Sequence, residues 1–466
     1  MKFENKFTKR FWLLNILQML EKMAYWNMLL QMPIYLAQKD APGGLHWEQT
    51  IKGVIFFWWA LVQNFSPIFF GFLSDKYSDK RVLNASLFVI FFSYLFVGLS
   101  TELMPMIASV VLLGLGSAMY KPTIQGAIAR ELTPDNESRG WGIYFMLINL
   151  AVFIAPPISK YFKEISWFNV FLGSMAITAI NLVVNFIFNK KIKIEHQDNL
   201  SPRMNIKWTF ENLFKADILL FIISMSGFAI IYMQFYETLP NFIYDWTNTT
   251  SIAKHLPDFM LMTTSLGKMI SYEWLYNINS ILVLVLVVWV STISSKINIL
   301  KAIIIGIILS ICGLVMSGFS TYGWLTIIGI IVYTLGEMIT NPKFTQYLSQ
   351  KAGQENKSMY LSYLNISFGI GLTFGAIFGS WIYESFAEKS ELASRYLFEY
   401  YNIGRSNAKG SFAQLLELSK MNEIDLVNTL FNHYHPNHMW LPFIFIGLIA
   451  IIGLFLLIKI DKRNRA

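Results

Sequence analysis

Among the ionisable side chains inside otherwise apolar stretches, the candidates for function are Glu21, Lys22, Lys121, Glu237, Glu337 and Lys343. Placing a charge in hydrocarbon costs roughly 2.5–3.5 kcal/mol on insertion scales, so a charge kept there is functional by default. Glu21 and Lys22 fall mid-run in the first apolar stretch, Lys121 near the middle of the fourth and Glu337 near the middle of the tenth. An ammonium and a carboxylate meeting halfway through a bilayer would form a desolvated pair. Protonating Glu337 would weaken that pair and free Lys121 for a substrate carboxylate. The other reading is a purely structural ion pair, or a Lys121 that snorkels to the interface. Glu237 lies nearer the outer end of its run, and Lys343 lies near an inner end, where snorkelling suits it.

Polar and aromatic neighbours extend this set. Tyr25 and Trp26 follow the first-run charges, Asn149 lies in the fifth run and Gln234 in the seventh. Any one of the aromatics can line a cavity or face lipid. The loop Gly71–Arg81 places Asp75 ahead of Lys76 and Arg81; an acid followed by bases can brace neighbouring helix ends. His433, His435 and His438 form the one metal-like cluster, but a closed site usually needs four ligands, so the expected metal content is none. No phosphate-cradling Gly-Lys-Ser/Thr loop and no Ser/His/Asp arrangement occurs. The chain therefore reads as neither an ATP-driven pump nor an enzyme, and no cofactor is expected. Cys312 is the single cysteine, which excludes a disulfide framework.

These residues need elements to hold them, and composition names the elements. Of 466 residues, 55% are hydrophobic and 14% charged, against about 25% charged in soluble domains. The mean hydropathy is +0.46. The apolar residues gather into runs of about 20, the length a helix needs to cross a bilayer. Twelve spans follow: 11–37, 51–73, 82–100, 105–129, 141–162, 167–188, 218–244, 278–294, 299–319, 324–347, 359–386 and 439–460. The net charge of +8 does not indicate nucleic acid, because the basic residues sit at the ends of the runs. That is the positive-inside pattern, and it predicts cytoplasmic termini.

The expected fold class is an all-α integral membrane protein of twelve transmembrane helices in two six-helix halves. Residues 1–188 form one bundle and 217–466 the other. A basic cytoplasmic linker, 189–216, joins them, and the second half carries an extracytoplasmic insert at about 387–438. The halves repeat. Gly116 precedes Pro122, with Lys121 between, as Gly336 precedes Pro342, with Glu337 between; Tyr144 precedes Asn149 as Tyr360 precedes Asn365. Equal spacings in the same order indicate a parallel repeat. A further stripe, Gly371, Gly375 and Gly379, predicts close helix packing in the eleventh span.

The pieces resemble the proton-dependent oligopeptide transporter (POT/PTR) family of the major facilitator superfamily. Glu21-Lys22-Met23-Ala24-Tyr25-Trp26 is similar to its first-helix Glu-Arg-Phe-x-Tyr-Tyr signature, and Gly71–Arg81 to the superfamily's loop motif. Lys121-Pro122 resembles the fourth-helix Lys-Pro-Asn, and Tyr144–Asn149 with Ile154–Pro156 the fifth-helix segment. Tyr276–Ser280 resembles the start of the eighth helix, and Gly336-Glu337 through Pro342 the tenth-helix Gly-Glu…Ser-Pro motif. Gln18, Lys22 and Met233 stand where the family has Glu, Arg and an acid, with Glu237 one turn beyond Met233.

The resemblance implies symport of di- or tripeptides, or similar amphoteric solutes, with protons across a cell inner membrane. It assigns substrate binding to Lys22, Tyr25, Trp26, Lys121, Asn149, Gln234 and Glu337. Proton coupling falls to Glu21, Glu237 and Glu337, and gating or structure to Asp75, Lys76, Arg81, Pro122 and Pro342. The driving ion is the proton, and the partners are a small solute and the lipid bilayer. Two alternatives stand beside it: a divergent facilitator for a sugar, drug or organic anion, and a non-transporting receptor or assembly component that holds a protein partner through the insert.

Overall fold

In lipid a chain satisfies its backbone polar groups by coiling, and the apolar runs are helices. The structure, a computed structural model, describes residues 7–70, 77–133, 136–188, 213–264, 267–351, 357–404 and 410–463. Contacts divide the chain into two compact units: Met1–Gln31 with Trp58–Asn205, and Met32–Phe57 with Ile206–Ala466. Most of the linker expected at 189–216 lies outside the described residues.

The first unit holds α1 (Lys9–Leu29), the later part of α3 (Gln49–Phe65), α4 (Pro67–Phe70), α5 (Asp79–Leu99), α6 (Leu103–Arg130), α7 (Glu137–Ile165) and α8 (Trp167–Phe188). The second holds α2 (Met32–Ala37), the start of α3, α9 (Ala216–Glu237), α10 (Leu239–Trp246) and α11 (Thr250–Ala253). Then come a hairpin of β1 (Leu261–Thr264) and β2 (Gly267–Ile270), α12 (Tyr272–Ser294), α13 (Ile299–Ser317), α14 (Gly323–Lys351) and α15 (Lys357–Phe386). The insert folds as α16 (Lys389–Tyr401), α17 (Ser411–Ser419) and α18 (Glu423–Tyr434), and α19 (Leu441–Arg463) closes the chain. Among the described residues ten helices are long and apolar enough to cross a bilayer. The charged α1 and the shorter α3 make up the twelve.

Two expected spans are broken. The first run is interrupted at Leu30–Gln31 and the seventh at Thr238, in each case just before a short helix that carries proline in its first turn, Pro33 or Pro240. Proline lacks an N–H and disfavours a helical residue before it, so a helix ends there and restarts. The first helix of each half breaks at the same stage, which adds to the repeat. The hairpin at Leu261–Ile270 was not expected from the sequence; its register pairs Leu261 with Ile270 and Thr264 with Gly267.

Close packing in the second unit rests on small residues. A Cβ on Gly313 would lie 2.1 Å from the Tyr333 backbone nitrogen, so α13 and α14 touch backbone to backbone. The expected glycine stripe behaves the same way: a Cβ on Gly371 would meet Ala229 at 2.2 Å and one on Gly379 would meet Gln234 at 1.9 Å, which seats α15 on α9.

Candidate functional site

In the first unit the first-helix charges sit on one turn of α1. Glu21 is buried, and Lys22 Nζ lies 3.0 Å from its Oε2. The same ammonium stands 5.1 Å from the centre of the Tyr25 ring, a cation–π distance. Gln63 donates to the Tyr25 hydroxyl at 3.3 Å, and Tyr25 packs against Trp26 and Trp59 with ring centres 5.8 and 5.5 Å apart. Lys121, mid-helix in α6, is solvent-exposed and lies within electrostatic reach of Glu21 and Lys22. Within this unit, among the described residues, no carboxylate pairs with it. An ammonium at that depth of a spanning helix is costly against hydrocarbon, so it is expected to line water or a partner group. Asn149 is half-buried and donates to its own helix, to the Phe145 carbonyl at 2.9 Å. Pro122 lies inside α6 and removes the hydrogen bond that the Ala118 carbonyl would accept.

The second unit holds Glu337, mid-helix in α14 and partly exposed. Asn279 of α12 donates to its Oε2 at 2.9 Å, and the Tyr236 hydroxyl and the Asn341 amide lie 3.5 Å from Oε1. Asn279 is itself held by Thr334 at 3.0 Å. Tyr276 and Tyr333 lie within electrostatic reach of the carboxylate, and Phe235 stacks on Tyr333 at 4.2 Å. Within this unit, among the described residues, no Lys or Arg pairs with Glu337. A carboxylate walled by neutral donors and aromatic faces is open to an ammonium or a proton. Counted from Gly116 and Gly336, Asn341 corresponds to Lys121, and Glu337 sits one turn earlier. Pro342 lies inside α14 and frees the Met338 carbonyl in the same way.

The deepest ion pair of the second unit involves a residue that the sequence reading passed over. Lys52 Nζ lies 2.6 Å from Glu237 Oε1, and neither side chain has any solvent access. Lys52 also donates to the Glu237 carbonyl and to Asn241 Oδ1, each at 3.1 Å. Ser380 and Thr238 donate to the two Glu237 oxygens at 2.5 and 2.6 Å. Every polar atom of the pair is thus met, the condition under which a buried pair is tolerated. The signal was present, since Lys52 is a charge inside an apolar run. As the second residue of that run it reads as an interface cation.

The remaining expectations fall as follows. Gln234 is fully buried and its amide is committed to packing, donating to Ile230 and Gly375 carbonyls at 2.8 and 3.0 Å, with its Oε1 2.6 Å from the Thr238 hydroxyl. Lys343 is buried and donates to Gln346 at 2.9 Å. Asp75 and Lys76 lie outside the described residues, and Arg81 is exposed. Among the described residues of that loop, the acid that braces helix ends is Asp79. It pairs with Arg10 at 3.0 Å and with Arg130, while Arg10 also reaches Glu131 at 2.8 Å. The ends of α1, α5 and α6 are tied together by this cluster.

Comparison with known proteins agrees with this architecture. The model of the Major Facilitator Superfamily matches residues 12–376. The chain belongs to that superfamily: it is a multi-pass secondary transporter, not an enzyme. It is 20% identical over 376 residues to a Na(+), Li(+), K(+)/H(+) antiporter of Planococcus maritimus, spanning 75% of this chain and 83% of that protein. Among solved structures, it matches a POT family transporter in complex with 5-aminolevulinic acid with TM-score 0.66 and 15% identity, over 97% of this chain and 96% of that one. A mutant of the nucleoside transporter NupG matches with TM-score 0.69 and 14% identity, over 96% and 100%.

Proposed function

We propose that this protein carries short peptides, or similar small solutes bearing both an amine and a carboxyl, together with protons. The observation that supports this most is Glu337, a mid-helix carboxylate held by Asn279 and Tyr236 with, among the described residues, no cation of its own unit paired to it. Such a group takes either a substrate ammonium or a proton, and exchange between the two couples their movement. In this reading the substrate carboxylate is taken by Lys121 and Lys22. Lys is a point charge and lacks the two-pronged grip of Arg, so Tyr25, Trp26 and Asn149 orient the solute. Glu21 and Glu237 are further proton carriers. Protonation of Glu237 breaks its pair with Lys52 and loosens the start of α3 from α9.

The protein then works by alternating access in a cell inner membrane, with both termini in the cytoplasm and the insert outside. The basic runs around residues 190–215 and 459–465 support that orientation. No cofactor is needed beyond the proton gradient. The likeness to a POT family transporter solved in complex with 5-aminolevulinic acid supports a solute of this class. The test is uptake by proteoliposomes under an inward proton gradient. Labelled dialanine accumulates, and Glu337→Gln reduces accumulation at least about a hundredfold while the protein stays folded. Absence of accumulation for every peptide in a panel, with intact protein, overturns the reading.

A further inference from the structure

We propose that the insert completes a second binding site, separate from Glu337, for a small organic ammonium with an apolar body. The site lies in the second unit, where α16, α17 and α18 meet the outer end of α10, the β-hairpin and the segment around Asp40. These elements enclose a cavity of about 520 Å³, within the usual range for a small-molecule pocket. Among the described residues lining it are three carboxylates, Asp40, Asp245 and Glu423, and one cation, Lys389. Apolar lining comes from the insert, with Phe412, Leu416 and Val427. Asp40 and Asp245 form the acidic pole of the lining, and the Phe412 ring borders it.

The chain already places an ammonium at the acidic pole. Lys389, only 6% exposed, sets its Nζ 2.8 Å from Asp40 Oδ2 and 3.9 Å from Asp245 Oδ1, and 4.4 Å from the centre of the Phe412 ring. Two carboxylates and an aromatic face are a complete receptor for an ammonium. Asp245 is fixed by other donors, Gln38 and Tyr383, each at 2.5 Å. Asp40 is more accessible, with its side chain 31% exposed. An incoming ammonium therefore competes with Lys389 for Asp40, and its apolar body lies along the insert wall. Anions of the same size are repelled by the surplus of carboxylates.

The test uses the full chain in lipid nanodiscs and isothermal calorimetry, with phenethylamine as the cation and hydrocinnamate as its anionic counterpart. Phenethylamine binds the unaltered protein and hydrocinnamate does not. Asp40→Asn weakens phenethylamine at least about tenfold, the loss expected when a hydrogen bond to a charged group is removed. Lys389→Met acts in the opposite direction and tightens binding, because the internal competitor is gone. The Asp40→Asn loss is read again in a Glu337→Gln background, where an ammonium held at Glu337 cannot contribute, so failure of the transport reading and failure of this one are distinguishable. If Asp40→Asn does not fold, Phe412→Ala supplies the same loss. No binding to the unaltered protein, or binding lost in Glu337→Gln and kept in Asp40→Asn, overturns the proposal.

Discussion

Two opposite charges with no solvent access, Lys52 and Glu237, sit 2.6 Å apart in the second unit. Removing one partner strands the other, which costs about 3–5 kcal/mol, whereas replacing both by neutral groups is close to neutral. Lys52→Met alone is therefore expected to lower the unfolding midpoint sharply, and Lys52→Met combined with Glu237→Gln to recover most of the loss. Thermal unfolding of the purified variants checks this, and additive losses in the double variant contradict it. The residue scale is also where sequence reading was most uneven. Lys121 and Glu337 stood out because each stands mid-run, where the neighbours are apolar and a charge is conspicuous. Lys52 did not, because the edge of an apolar run is an ordinary place for a cation. Gln234 looked like a substrate contact, yet its amide joins α9 to α15. That use depends on which glycine faces it, which spacing along one chain does not reveal.

At the scale of elements, length and hydropathy fixed where helices exist, and proline chemistry fixed where two of them break. The breaks at Gln31 and Thr238 follow from Pro33 and Pro240 and were readable in principle. The apolar stretches run on past them, which concealed the interruptions. The four-residue strands Leu261–Thr264 and Gly267–Ile270 are too short to show a clear period of two. Glycine contacts separate two outcomes at this scale. Gly313→Val forces a side chain into the Tyr333 backbone and costs about 1–3 kcal/mol or more. Gly142→Ala, with nothing within 4 Å of the added Cβ, is expected to gain about 0.5–1 kcal/mol of helix stability. Midpoints from thermal unfolding in one detergent rank the two; equal midpoints contradict the packing account.

For the whole molecule, the repeat was legible from two pairs of equal spacings, but the grouping of Met32–Phe57 with residues after 205 was not. It arises from side chains far apart in sequence. The Thr50 backbone N–H donates to the Glu384 carboxylate at 2.6 Å, the Gln38 amide to Asp245 at 2.5 Å, and the Asn241 amide to the Pro33 carbonyl at 3.2 Å. If alternating access requires α3 to leave that position, fixing it stops transport. Thr50→Cys with Glu384→Cys in a Cys312→Ser background is expected to cross-link and to block uptake in proteoliposomes, with recovery on reduction. Full uptake by the cross-linked protein contradicts the moving role of this segment.

The claim on which the account rests is that Glu337 receives the substrate ammonium. A binding cycle tests it most directly, pairing the unaltered protein and Glu337→Gln with dialanine and N-acetyl-dialanine. Each single change, in protein or in peptide, is predicted to weaken binding at least about tenfold, and the two together to weaken it no further, as for partners in one interaction. Dialanine bound equally well by Glu337→Gln and by the unaltered protein would contradict it.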